Sequence, residues 1–368
     1  MQTRTTNRTK EAARRAAPPN EEIRNRSLPT GQVLVGDALE RLRELPSASI
    51  DTVVTSPPYF RLRDYGVTGQ IGTELSIDEW VARLRAVLVE VARVLKPEGT
   101  LWLNLGDTYA RRHAHGAEPK SLLLGPERLI LALVREDGWR LRNKIIWAKP
   151  NPMPAPVADR LSGTWEPLYL LARSSRYYFD LDAIRVPARS QLRRPSRTKG
   201  GPKYSLAPRQ RPNWAGPYTG TNSGLARMKA RGQTAHPLGK NPGDVWTLAT
   251  AAYRGAHFAV FPEALAERPL LAACPERVCV TCGAAWQRAA AAQHLGNTAI
   301  RGALGKSCGC SDATWQPGVV LDPFFGAGTV GVVAERLGRR WLGIELNPQF
   351  AQLAQERITS RHEIRRTA

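Results

Sequence analysis

The sequence predicts an α/β fold: a Rossmann-like, mostly parallel sheet with helices on both faces. Three observations carry that expectation. Residues 319–322 are an apolar run leading into Asp322-Pro323-Phe324-Phe325-Gly326-Ala327-Gly328-Thr329, followed by a helical pattern over 330–337 and a second apolar run over 339–346. Glu345 falls about 20 residues past the glycine turn, where a carboxylate binds ribose hydroxyls in a dinucleotide-type βαβ unit. Residues 50–54 form a second buried-strand candidate, which the chain leaves through Thr55-Ser56-Pro57-Pro58-Tyr59. Between these two stretches, strand-like runs alternate with amphipathic helical patterns, as in sheets whose crossovers are helices.

Each element follows from its own residues. Residues 1–28 are rich in Arg, Thr, Ala and Asn, so a disordered basic tail is expected. Residues 32–35 read as a short strand, and Asp37 N-caps a helix over 38–45. A residue preceding proline is pushed out of the helical region, so Ser56 and Pro57 are extended, and the paired prolines stiffen the loop. Carbonyls and one hydroxyl are then left to accept hydrogen bonds beside the aromatic face of Tyr59. That suits a planar base carrying an exocyclic amine. An ordinary proline-rich turn with a packing tyrosine has the same local sequence.

Residues 61–72 are polar and glycine-containing, hence a mobile loop. Ser76-Ile77-Asp78-Glu79 is a capping box opening a helix over 77–95. Lys96-Pro97-Glu98-Gly99 stops that helix, and 100–105 is a buried strand. Asn104 and Asp107, at its end, either border a pocket beside Ser56 or serve the turn. A helix over 126–138 and a strand over 143–148 follow. Trp147 and Lys149 are candidates to hold a nucleotide, with a core role the plainer one for Trp147. A helix over 263–273 should pack beside the glycine turn.

Composition narrows the partners. The chain has 368 residues, a formal net charge of +21 and 42% hydrophobic content, ample for a core. Such an excess of positive charge favours a polyanion such as nucleic acid. No run is long enough to span a membrane and no signal peptide is visible, so a cytoplasmic protein without a membrane partner is expected. Residues 183–243 contain no Asp or Glu but carry Arg193, Arg194, Arg197, Lys199, Lys203, Arg209, Arg211, Arg227, Lys229 and Arg231, with Tyr204, Trp214 and Tyr218 interleaved. These cations would contact phosphates, while a few other side chains read base edges. A disordered basic linker is the alternative.

All five cysteines fall between 274 and 310. Cys279, Cys282, Cys308 and Cys310 make two closely spaced pairs, a set suited to a closed structural zinc site where disulfides are disfavoured. Cys274 is a spare. Four thiolates leave no open position, so catalytic zinc is not expected.

Together, the two stretches resemble the amino-methylating DNA methyltransferases that use S-adenosylmethionine. Thr55-Ser56-Pro57-Pro58-Tyr59 looks like their catalytic motif, and Asp322 through Thr329 like their cofactor motif. The catalytic motif comes first here, which is the circularly permuted order of the family's β group. The resemblance implies catalytic roles for Ser56, Pro57, Pro58 and Tyr59. It also implies cofactor contacts by Asp322, Pro323, Phe324, Gly326, Gly328, Thr329 and Glu345, and an adenine contact by Asp37 beside its capping role. Residues 165–172 and 177–180 resemble the paired strands closing the catalytic half. Residues 244–250 and 257–262 resemble the segment before the cofactor motif. Within the family, serine at the first motif position is commoner among cytosine-N4 enzymes and aspartate among adenine-N6 enzymes, so cytosine N4 is expected. Methylation at cytosine C5 needs a cysteine nucleophile, and none lies near either motif.

The expected organisation is a tail (1–28), a catalytic half (29–182), a basic target-recognition segment (183–243), a cofactor half (244–274 and 318–360) and a cysteine-rich zinc-ribbon-like insertion (275–317). The expected partner is double-stranded DNA, with a cognate restriction endonuclease as a second, and the expected state is a monomer or homodimer. A DNA adenine-N6 methyltransferase is the first competing reading, followed by an RNA or protein-amide methyltransferase and by a binding protein that keeps the fold without catalysis.

Overall fold

The central strands are buried throughout, and their side chains alternate between two faces, which builds a core on each side of one sheet. The structure is a computed structural model that describes residues 28–187, 236, 238–251, 261–289, 292–293, 299–311 and 314–367. The tail before Leu28, the cations Arg193, Arg194, Arg197, Lys199, Lys203, Arg209, Arg211, Arg227, Lys229 and Arg231, and residues 257–260 lie outside the described residues. Leu28 itself packs against the core.

In chain order the first elements are β1 (Gln32–Val35), α1 (Ala38–Glu44), β2 (Ile50–Thr55), α2 (Ile77–Val94), β3 (Leu95–Asn104), α3 (Gly125–Arg135), β4 (Arg140–Ala148), β5 (Trp165–Ala172) and β6 (Val245–Thr247). Then come α4 (Glu263–Ala273), β7 (Val278–Cys279), β8 (Gln287–Arg288), β9 (Ala292–Gln293), β10 (Ala299–Ile300), β11 (Leu304–Gly305) and β12 (Trp315–Gln316). The chain closes with β13 (Val319–Asp322), α5 (Thr329–Arg336), β14 (Arg340–Glu345) and α6 (Pro348–Thr367).

Eight strands form one sheet in the order β1-β14-β13-β2-β3-β5-β4-β6. β1, β14, β13, β2 and β3 run parallel, and β5 is antiparallel to both its neighbours. The order reverses between β13 and β2, and the crevice at the carboxyl ends of such a switch point is where open α/β sheets bind ligands. Both candidate motifs leave the sheet there.

Val53, Leu101, Leu103, Val319 and Leu321 face one layer with the buried sides of α1, α2 and α3. Val54, Trp102, Val320 and Trp341 face the other, with α4, α5 and α6. This is the period-two pattern of a sheet covered on both faces. Asp37 caps α1 by accepting from the backbone N–H of Leu39 at 2.9 Å and Glu40 at 3.1 Å.

Two elements differ from the sequence reading. The strand expected over 100–105 begins at Leu95, which pairs with Ile50, and the register slips between Ile50 and Thr52. The Lys96–Gly99 turn is thus held inside the ladder as a bulge, because Lys96 Nζ donates to buried Asp51 Oδ1 at 2.6 Å. Residues 177–180 are not a strand; β5 pairs with β3 and β4 instead. That segment satisfies its backbone one bond at a time, Tyr178 N–H donating to Glu98 O and Asp180 N–H to Ala272 O.

Asp51 also accepts from the backbone N–H of Val319 at 2.8 Å, so it holds β13 and the β3 bulge together. Asp51→Ala strands a lysine and a buried N–H, and is expected to destabilise the chain by about 3 kcal/mol, read from urea unfolding midpoints.

Candidate functional site

The glycine turn and the Ser-Pro-Pro loop form two clefts that share a wall. The first holds about 890 Å³ of space up to its open mouth. Asp37, Ser56, Pro58, Pro323, Phe324, Gly326, Thr329 and Glu345 line it, with Phe350 of α6 and the 65–71 segment. The second holds about 1300 Å³ on the same terms and is lined by Ser56, Pro57, Tyr59, Asn104, Trp147, Lys149 and Glu166. Ser56, Tyr65 and Phe261 belong to both. Pro58 faces the first cleft, whereas Pro57 and Tyr59 face the second. Ser56 stands at the junction.

Local chemistry fixes the glycine turn. Gly326 and Gly328 have φ of +50° and +74°, a backbone region that side chains rarely adopt. Glu345 sits at the end of β14 and accepts from Gly326 N–H at 2.8 Å and Asn347 N–H at 2.9 Å. Burial raises its carboxyl above the usual range, and those N–H groups oppose the shift. Two further lone-pair sites per carboxylate remain for ligand hydroxyls. Two acids, Asp37 and Glu345, and the aromatic faces of Phe324 and Phe350 in one cleft suit a nucleoside with polar hydroxyls.

Asp322 and Gly328 stand apart from this lining. Asp322, at the end of β13, is 1% exposed and accepts from the Thr55 hydroxyl at 2.6 Å and from Phe324 N–H at 3.0 Å. The carboxylate therefore ties the end of β2 to the glycine turn, just beneath the cleft. Burial pushes its carboxyl up to about 7, with a smaller push from Glu345. Gly328 caps α5 and is packed against Ala354 and Phe325.

In the second cleft, polar groups converge on Ser56. Its hydroxyl donates to Asn104 Oδ1 at 3.2 Å. The Tyr59 hydroxyl lies 2.7 Å from Glu166 Oε2 and 3.2 Å from Asn104 Oδ1; its single proton belongs to the shorter contact. Asn104 Nδ2 donates to Pro167 O at 3.1 Å, which fixes the amide so that Oδ1 meets Ser56. With its proton committed, the Ser56 oxygen presents only lone pairs to a ligand. Burial, then the Glu166 charge, raises the Tyr59 phenol well above its ordinary value, so it stays a neutral donor. Glu166 also pairs with Lys149 through its other oxygen. Trp80 Nε1 donates to Pro58 O at 3.0 Å, while no donor among the described residues reaches the Pro57 carbonyl.

Of the remaining sequence candidates, Asn104 borders the pocket, but Asp107 does not. Asp107 accepts from Leu124 and Gly125 N–H at 2.8 and 3.1 Å, the turn role. Trp147 is 4% exposed and belongs to the core, with Lys149 Nζ over its ring at 4.6 Å. The 61–72 segment, expected to be mobile, is bonded into a wall of the first cleft. Arg83 donates to Gly69 O at 2.6 Å and Gln70 O at 3.0 Å, and Tyr65 N–H donates to Gln70 Oε1 at 2.8 Å. Sequence reasoning missed Glu166 and Gly106. A Cβ at Gly106 would lie 2.5 Å from the Tyr59 ring, so only glycine lets that ring lie there. Nothing in the local sequence marks either residue.

Comparison with known proteins agrees with this geometry. A family model described as DNA methylase matches residues 50–356. The type II methyltransferase M.SmaI of Serratia marcescens is 35% identical over 363 residues, covering 93% of this chain and 95% of that protein. M.Cfr9I of Citrobacter freundii, another type II methyltransferase, is 35% identical over 345 residues, covering 88% and 86%. Among solved structures, PvuII DNA methyltransferase (cytosine-N4-specific) superposes with a TM-score of 0.53 at 18% identity, over 90% of this chain and 91% of that one. The last is a likeness of fold.

Asp322 makes the site sensitive to pH. Its folded carboxyl holds a proton more tightly than the unfolded chain does, so its contribution to stability is full below about pH 4 and is lost as pH rises to about 7. Asp322→Asn keeps an oxygen for Thr55 and Phe324 but cannot ionise. Melting temperatures of the two proteins should therefore shift relative to each other between pH 5 and pH 8, the wild type losing ground at the higher pH. A constant difference would deny the buried ionisation.

Proposed function

The chain belongs to the DNA methylase family, and on that footing we propose that it methylates the exocyclic N4 of cytosine in double-stranded DNA, with S-adenosylmethionine as donor. The observation that carries this reading is the position of Ser56 on the wall common to both clefts. The first cleft suits the cofactor, with Glu345 for ribose hydroxyls, Asp37 for the adenine end, and Pro323, Phe324 and Thr329 along the wall. When bound, S-adenosylmethionine supplies an electrophilic methyl group. Asp322 acts from beneath, holding the turn whose Gly326 and Gly328 let backbone approach the ligand closely.

The second cleft takes a base flipped out of the duplex. An amine on an aromatic ring is a poor nucleophile because its lone pair is delocalised. The Ser56 oxygen, its own proton held by Asn104, and the Pro57 carbonyl accept the two N–H bonds. This favours a tetrahedral nitrogen with its lone pair out of the ring plane and toward the first cleft. Tyr59 stacks on the base, its hydroxyl fixed by Glu166. Positioning and electrostatics of this kind need no covalent enzyme intermediate. Two features favour cytosine. Ser56 occupies the motif position where the family's cytosine-N4 enzymes commonly carry serine, and Lys149 offers N–H donors to a ring carbonyl oxygen, which cytosine has and adenine lacks.

The cations of the central acid-free segment would grip the DNA backbone. The type II designation of M.SmaI and M.Cfr9I supports a cognate restriction endonuclease as the partner in the cell.

The test is transfer of labelled methyl from S-adenosylmethionine to duplex DNA, followed by nucleoside mass spectrometry. N4-methylcytosine is the expected product. N6-methyladenine would keep the mechanism and overturn the base, and an unlabelled duplex beside intact cofactor binding would overturn the activity. Ser56→Ala, which removes one acceptor at the reacting nitrogen, should lower kcat by about 100-fold while cofactor affinity stays within about twofold.

A further inference from the structure

We propose that residues 275–317 are held by one structural zinc ion, bound by Cys279, Cys282, Cys308 and Cys310. The sulfur atoms of these four residues all lie within 4.8 Å of one another. A tetrahedral site with zinc–sulfur bonds of about 2.3 Å sets its sulfurs about 3.8 Å apart, so small rotations of the side chains suffice. All four are free thiols, and the cluster contains no carboxylate or imidazole. Soft, all-sulfur tetrahedral donor sets exclude hard cations such as magnesium and calcium and suit zinc or iron, and zinc is the ion that closed structural four-cysteine sites hold.

The backbone presents the two pairs separately. Cys279 ends β7, its N–H donates to Ala284 O at 2.9 Å, and Gly283 N–H returns to Cys279 O at 2.9 Å. Gly283 has φ +75°, which closes the turn tightly enough to bring Cys282 beside Cys279. The second pair is carried in by the β8–β11 ladder. Ser307 Oγ then donates to Ala285 O at 2.6 Å, and Lys306 reaches the Cys310 carbonyl. Cys274, fully buried at the end of α4, is outside the cluster.

Among its described residues the insertion has little core of its own, so such a clip would hold it. Trp286 and Trp315 meet edge-on at 6.5 Å, with Arg277 over both rings, and β7, β8, β11 and β12 are two residues long. At about 40 residues a segment is near the size at which metal or disulfide is usually needed for it to stay folded. The clip also bears on the sheet, since β12 pairs with β7 across Trp315 and Cys279 and leads straight into β13. Arg288 pins the insertion to the body by pairing with Asp180 at 2.7 Å, and it pairs with Glu276 within the insertion.

Metal analysis by mass spectrometry of the full chain, purified without added zinc or a metal-affinity tag, tests this independently of any activity. About one zinc per chain is expected, released stoichiometrically when an organomercurial titrates the thiols. Cys274→Ser should leave the content unchanged, whereas Cys282→Ser and Cys308→Ser should lower it severalfold. Cobalt exchanged into the wild type should show the intense absorption of tetrahedral thiolate coordination, a readout that survives misfolding of the variants. Protein carrying no zinc, iron in its place, or disulfides within the four-cysteine set would each overturn the assignment.

Discussion

The hydrogen bond from the Thr55 hydroxyl to Asp322 joins residues 267 positions apart and holds the two functional loops in one register. Each residue ends a strand, and those strands are neighbours at the point where the sheet order reverses. Asp322 also accepts from Phe324 N–H, so one carboxylate sets the exit of β2 and the first turn of the glycine loop together. Burying an acid there is costly, as its raised affinity for a proton shows. The chain keeps it because no apolar pair would fix two loops by direction as well as distance.

The two clefts on either side of that bond are built differently. The first cleft is aromatic, with Asp37 and Glu345 in its lining and a wall formed by the Arg83-anchored 65–71 segment. The second cleft is a connected polar network in which Asn104, Tyr59, Glu166 and Lys149 each satisfy a neighbour. Such a network is rigid when complete. It leaves Ser56 and the Pro57 carbonyl as acceptors, and those are what an amine requires. Gly106 supplies the space without which Tyr59 would be displaced.

Much of this was legible in the sequence because the informative features are local. Proline pairs, positive-φ glycines, a capping Asp37 and alternating apolar residues each dictate structure within a few residues. The chain order of strands and helices followed from them, while the family resemblance implied that Ser56 and the glycine turn serve one site. What escaped depends on contacts between distant segments. Glu166 matters only because β5 inserts antiparallel beside β3, bringing it to Tyr59. The family resemblance implies a strand over residues 177–180, yet β5 takes β3 and β4 as its partners and 177–180 join no ladder. Asp322 was expected at the ligand surface, and its burial follows from the partner on β2, which no local pattern reveals.

The most direct test of the central claim is a double-mutant cycle on methyl-transfer rate with Thr55→Val and Asp322→Ala. If one bond aligns both loops, either single substitution should lose nearly all that the pair loses, and the double variant should be little worse than the poorer single. Losses that multiply would show that the two residues act separately, and would contradict a site assembled through that bond.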